Sequence, residues 1–139
     1  MRYWLFKSEP DTWSWDEQVA CGAQGTEWTG VRNYQARNNM RAMELGDRGF
    51  FYHSNVGKEV VGIVEVCALA HPDSTADDPK WDCVDIRALG PLKTPVTLEM
   101  AKVDPRLEGM VLVNNSRLSV QPVTEAEWRA ICALGGVAP

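Results

Sequence analysis

Along residues 2–7, Tyr3, Leu5 and Lys7 alternate against Trp4 and Phe6, a period of two that predicts a β-strand. Ser14, Trp15, Asp16 and Glu17 then form a capping box, in which the Ser14 hydroxyl accepts the third N–H of a helix and Glu17 returns to the cap. That helix is short and stops at Gly22. Over residues 33–43 the period lengthens to that of a helix. Ala36, Met40 and Met43 fall on one side, and Asn33, Arg37 and Arg41 form the neighbouring stripe. The runs 49–54 and 59–66 predict a hairpin turning through Asn55 to Lys58. Residues 71–80, rich in Pro and Asp, predict a polar surface loop, and 81–87 a strand broken by Gly90-Pro91. One or two helical turns fall within 97–109, with Asp104 as a cap and Pro105 at the first helical position. A last strand is predicted over 117–123. A second capping box at Thr124 to Glu127 then opens a helix with Trp128, Ile131 and Leu134 inward and Gly135 as its stop. The order β-α-α-β-β-β-α-β-α predicts an α+β fold. Its five to six strands would form a small curled sheet or barrel with helices around it.

The chain of 139 residues, with no repeat or linker, reads as a single domain over 1–139. A net charge of -5 excludes a broad basic face wrapped around a duplex, so any nucleic-acid contact must be local. Cys21, Cys67, Cys83 and Cys132 stand far apart, and His53 and His71 are the only histidines, so spacing predicts neither a metal site nor a cofactor. The thiols read as reduced, buried cysteines. The first residues are too short for a signal segment and no run is long enough to span a bilayer, so the expectation is a soluble, cytoplasmic protein.

Against that acidic background the stretch from Trp28 to Asn39 combines aromatic, amide and guanidinium groups, with no acid between Glu27 and Glu44. Aromatic faces stack on flat rings, amides read ring edges and arginines hold phosphates, which suits a nucleobase still attached to its backbone. Trp28 and Thr29 read either as pocket wall or as a core plug. Arg32, Asn33, Arg37 and Arg41 read either as a backbone-facing stripe or as a solvated helix face. Lys7, Ser8 and Glu9 end the first strand, where a carboxylate can accept from an exocyclic amino group or simply satisfy a turn. Tyr52, His53 and Ser54 end another strand; they read as a polar pocket wall or, less simply, as a hydrolase base with Ser54 or Lys7 as nucleophile. No motif supports the hydrolase, so the chain is expected to be non-catalytic. Asn114 to Arg117 precede the last strand and offer a second phosphate contact through Arg117, or a turn.

Five segments resemble those of the EVE domain, a member of the PUA-like superfamily: YWLFKSEP at 3–10, the run from Trp28 to Asn39, FFYHSN at 50–55, VVGIVEV at 60–66 and SRLSVQPVT at 116–124. The resemblance implies a PUA-like β-barrel with a pocket on one side, and relatives that recognise modified bases, notably methylated or hydroxymethylated cytosine. A fainter similarity to the YTH domain, a reader of N6-methyladenine, matches Lys7-Ser8-Glu9 and Trp28 by order and leaves Trp81 as a candidate second cage wall. Many bacterial EVE proteins carry Arg-Gln where this chain has Asn114-Asn115, so one backbone contact is missing from the pattern. The implied partner is modified DNA or RNA; a general RNA-binding module without modification specificity is the alternative. Extruding a base costs a few kcal/mol and stacking returns about 1–3 kcal/mol, so edge hydrogen bonds and phosphate contacts must supply the net affinity. Three arginines would give a salt slope of about -3 on a duplex.

Overall fold

Strand β1 (Tyr3–Ser8) organises the sheet, because it is paired along both edges and buried on both faces. The structure, a computed structural model, describes residues 1–115 and 117–139. β1 runs parallel to β3 (Arg48–His53), placing Ser8 beside His53, and antiparallel to β6 (Val120–Val123). From β3 the ladder continues antiparallel to β4 (Glu59–Pro72), then β5 (Asp82–Thr97), then the two-residue β2 (Thr26–Glu27). The spatial order is β2-β5-β4-β3-β1-β6, with the parallel pair β3–β1 next to the β6 edge.

The fold is α+β, as the alternation of periods predicts, but the sheet is open where a closed barrel is expected. Among the described residues β2 and β6 lie at opposite edges and do not pair. With two and four residues, these edges offer too few backbone groups to knit a closing ladder.

Side-chain parity fills both faces. Trp4, Phe6 and Phe51 point into one core with Trp15, Trp28 and Met40, whereas Leu5, Phe50 and Tyr52 point into the other with Trp128 and Ile131. Five helices cover these faces among the described residues: α1 (Trp15–Ala20), α2 (Tyr34–Arg41), α3 (Leu98–Val103), α4 (Val111–Asn114) and α5 (Glu125–Gly135). Both predicted capping boxes form, at Ser14 with Glu17 and at Thr124 with Glu127. Helix α5 closes on Gly136, which takes the left-handed conformation one residue beyond the predicted stop.

β4 and β5 are much longer than their sequence runs indicate. β5 continues through Gly90-Pro91, and β4 runs on to Pro72, into the segment expected to be loop. Proline is tolerated at position 91 because β2 pairs only with Asp85 and Ile86, leaving that end of β5 without a neighbour on its second edge. Register shifts along β4 and β5 absorb the remaining irregularity. Gly62 on β4 lets the Trp15 ring of α1 lie directly on the sheet, since a Cβ there would overlap that ring. No helix among the described residues is long and apolar enough to cross a membrane.

Candidate nucleic-acid interface

On the Trp28 side of the sheet, the end of β1 and the turn after it face the segment that follows β2 across a cavity of about 510 Å³. Lys7, Ser8, Glu9, Thr12 and Trp13 form one wall, and residues 26–32 form the other, with Ser119 at the base of β6. Trp28 is fixed by its own backbone N–H, which donates to the Val84 carbonyl at 2.9 Å. Its ring meets Phe6 and Phe51 edge-on, with centroids 5.4 and 5.6 Å away, and only 6% of the residue is exposed. It is both core plug and cavity wall.

Trp13 is the second aromatic wall. Its Nε1–H donates to Gln18 Oε1 at 2.9 Å, and Gln18, fully buried on α1, donates in turn to the Ile86 carbonyl at 3.0 Å. The Ser8 hydroxyl donates to the Trp13 carbonyl at 2.7 Å, which ties the turn to the strand end. Ser8 is therefore left with lone pairs to offer a ligand, not a proton.

Asp73, buried at the end of β4, clamps the opposite wall. Its carboxylate accepts from the Gly30 N–H at 2.8 Å and from Arg32 at 3.1 Å. Burial alone would raise its pKa, but hydrogen bonds from the Thr75 hydroxyl, the Gly30 and Thr75 N–H groups and Arg32 outweigh it and hold the carboxyl down to about 2. Gly30 has φ +85°, a left-handed conformation that lets the backbone turn toward Asp73.

Metal-ligand residue types that stand apart in the sequence meet beside this wall. Donor atoms of Glu27, His71 and Cys83 lie within 4.8 Å of one another, a set that spacing does not reveal. They are already engaged: Ser74 donates to Glu27 at 2.7 Å, the Cys83 thiol contacts Glu27 at 3.8 Å, and His71 Nε2 lies 2.7 Å from Asp85. Burial pushes the Cys83 thiol up to about 12, so it remains protonated and a donor to Glu27 rather than a thiolate ligand. Burial is less uniform than expected of the cysteines, since Cys21 and Cys67 are half-buried and only Cys83 and Cys132 are enclosed.

Of the residues singled out from the sequence, Lys7, Ser8, Glu9, Trp28, Thr29 and Arg32 come together around the cavity. Tyr52, His53, Ser54 and Trp81 do not line it. Tyr52 alternates with Phe51 along β3 and so faces the other core. His53 Nε2 accepts the Trp15 N–H at 3.0 Å, satisfying one of the orphan donors of α1. Ser54 follows β3 and donates its backbone N–H to the Ser8 carbonyl at 2.9 Å. Trp81 instead stacks on Tyr34 outside the cavity, with centroids 5.0 Å apart and 27° between planes.

The arginine stripe is also changed by tertiary contacts. Asn33 is the N-cap of α2, its side chain accepting from the Ala36 N–H. The acids absent from the local sequence arrive from afar: Asp73 pairs with Arg32 and Asp82 with Arg41, the latter at 2.7 Å. Among the described residues, Arg37 donates to the Asn38 side chain and the Lys80 carbonyl and meets no carboxylate. Arg117 is exposed, Asn114 bonds to the Glu108 and Met110 carbonyls, and Ser116 lies outside the described residues. Trp13 and Glu27 were not visible as wall residues. Trp13 precedes the Ser14 cap, where an apolar residue signals a hydrophobic staple rather than a site.

The open α+β sheet, with an aromatic-walled recess at the end of its parallel β1–β3 pair, has a fold of the PUA-like class. Within that class, the chain belongs to the EVE domain family, whose model matches residues 2–134. A crystal structure of a protein from Agrobacterium tumefaciens superposes with a TM-score of 0.97 at 65% identity, covering 99% of this chain and 95% of that one. Mouse thymocyte nuclear protein 1 is 37% identical over 99% of this chain and 75% of its own length. The human THYN1 protein, crystallised in complex with DNA containing 5-methylcytosine, is 34% identical with a TM-score of 0.89, each chain covered by 100%. The YTH domain of Zygosaccharomyces rouxii MRB1, at 17% identity and a TM-score of 0.60, shares the fold.

Proposed function

We propose that this protein is a non-catalytic reader that takes one modified nucleobase of a nucleic acid into the cavity between Trp13 and Trp28. The observation that carries the reading is the pairing of these two indoles with Glu9, Glu27, Lys7 and Arg32 around about 510 Å³, in a chain similar along its whole length to a protein crystallised with 5-methylcytosine DNA. An aromatic wall supplies sequence-tolerant stacking. The carboxylates can accept from the exocyclic amino group of cytosine or adenine, and Lys7 brings a positive charge to the same wall for a phosphate. A methylated or hydroxymethylated cytosine, or N6-methyladenine, is the base class these groups suit. Non-catalytic action is supported by two groups that could otherwise serve as base and nucleophile. The His53 Nε2 lone pair is spent on the Trp15 N–H, and the Cys83 thiol stays neutral.

The expected selectivity is modest, because a buried methyl group contributes roughly 0.8 kcal/mol, about fourfold in affinity. The test is titration of short oligonucleotides carrying 5-methylcytosine, 5-hydroxymethylcytosine, N6-methyladenine or no modification. Trp13→Ala is the informative variant, since Trp13 is half-buried whereas truncating Trp28 would open the core. Preferential binding of one modified oligonucleotide, lost in Trp13→Ala, supports the reader. Equal affinity for all of them, unchanged by Trp13→Ala, rules it out. Preference for folded RNA over every modified oligonucleotide would point to the general RNA-binding module.

A further inference from the structure

Outside the cavity, an exposed Tyr34 and a half-buried Trp81 stack at the surface among three cations. Tyr34 is 54% exposed although it opens α2, and Trp81 reaches it from the residue just before β5. The Arg37 guanidinium lies 4.9 Å from the Tyr34 ring centre, and the Lys80 ammonium lies 5.6 and 5.4 Å from the two rings. Arg32 lies 5.7 Å from the Trp81 ring while also lining the cavity, so the two surfaces are continuous through one guanidinium. The carboxylates that silence the other arginines leave this patch positive: Asp73 holds Arg32 and Asp82 holds Arg41, whereas among the described residues no carboxylate pairs with Arg37. Lys80 reaches the Tyr34 hydroxyl and pairs with Asp78 at 3.5 Å, both side chains of that ion pair exposed, so the pairing is easily exchanged for a phosphate.

Partly exposed aromatic rings beside Arg37 and a loosely paired Lys80, in a protein of net charge -5, match the two halves of a nucleotide. We infer that Tyr34 and Trp81 form a platform for the base next to the one in the cavity, with the intervening phosphate held by Arg37 and Lys80. This rests on the cavity being the modified-base site. A base still stacked and paired in a duplex cannot also lie on these rings, so the preferred ligand is unpaired on this side of the modified base.

The probes are 5-methyl-dCMP, a single-stranded heptamer with a central 5-methylcytosine, and the same heptamer in a duplex. Wild-type protein should prefer the single strand to the duplex. Trp81→Ala and Tyr34→Ala should each weaken heptamer binding by about tenfold, within the range of one base–aromatic stack, and leave 5-methyl-dCMP binding within about twofold. Tyr34 is exposed enough for its variant to fold, and circular dichroism of both variants checks this. Heptamer affinity unaffected by either variant, with mononucleotide binding still dependent on Trp13, overturns the platform and leaves the reader intact. A mononucleotide that fails to bind, with heptamer binding still dependent on Trp81, overturns the cavity reading and leaves the aromatic pair as a single-strand binding surface. Tighter binding of the duplex, insensitive to Trp81→Ala, overturns the unpaired ligand.

Discussion

His53 and His71 use the same side chain with opposite consequences for pH. His53 accepts the Trp15 N–H only while Nε2 is unprotonated. Burial lowers its pKa and outweighs the pull of Glu59 and Asp16. As pH falls below the unfolded value of about 6.5, the unfolded chain takes up the proton first, and the folded state loses stability. At His71 the hydrogen bond to Asp85 raises the pKa against a smaller burial effect, helped by the Pro72 carbonyl and Glu27. Its contribution is complete below about 6.5 and is lost as pH rises through the raised value. Urea unfolding between about pH 5 and about pH 8.5 should therefore separate them. The stability gap between wild type and His53→Ala should be widest above 6.5 and narrow on acidification. For His71→Ala the gap should be widest at low pH and narrow on the alkaline side. Gaps that do not change with pH would contradict both assignments.

At the scale of elements, the packing of α1 on β4 decides where Trp13 stands. Trp15 lies over Gly62 and meets Phe51 edge-on with centroids 5.4 Å apart, and Gln18, one turn further along α1, holds the Trp13 indole. Gly62→Ala puts a methyl group into the Trp15 ring, and overpacking of this kind costs about 1–3 kcal/mol. The urea midpoint should drop by the corresponding amount with an unchanged slope. A variant as stable as wild type would mean that α1 shifts freely on the sheet. This contact was not legible in the sequence, since Gly62 sits in an apolar run with nothing to single it out. The helix itself was legible, because the Ser14 to Glu17 box is a hydrogen-bonding pattern closed within four residues. β2 was missed for the opposite reason: two residues carry no period, and Thr26 and Glu27 are a strand only because Ile86 and Asp85 lie beside them.

Across the whole molecule, the net charge of -5 is distributed so that long-range acids neutralise part of the arginine stripe. The salt slope of oligonucleotide binding should accordingly be about -1 to -2 rather than -3, each neutralised phosphate contributing roughly -0.7 on a single strand and -0.9 on a duplex. Arg37→Gln should make the slope shallower by about 1, whereas Arg41→Gln, whose charge is committed to Asp82, should leave it nearly unchanged. Measuring binding constants over a range of salt for the three proteins checks this, and equal changes for both variants would contradict it.

What the sequence determined by itself was whatever depends on neighbours a few residues apart. The strand through Trp4, Leu5 and Phe6, the helical face of Ala36 and Met40, the caps at Ser14 and Thr124, and the hairpin from β3 to β4 all follow from local geometry. Half of the cavity was visible for the same reason, because Lys7, Ser8 and Glu9, and Trp28, Thr29 and Arg32, are each contiguous runs. Only the tertiary structure decided that these runs face each other, that Trp13 joins them through a buried glutamine, and that Tyr52 belongs to the opposite core. It also decided that Trp81 leaves the cavity for Tyr34, that Asp73 and Asp82 cross the fold to the arginines, and that the sheet stays open. Each of these depends on pairing and register between strands distant in sequence, which set the face a side chain occupies and the charge it meets, and no local pattern encodes that.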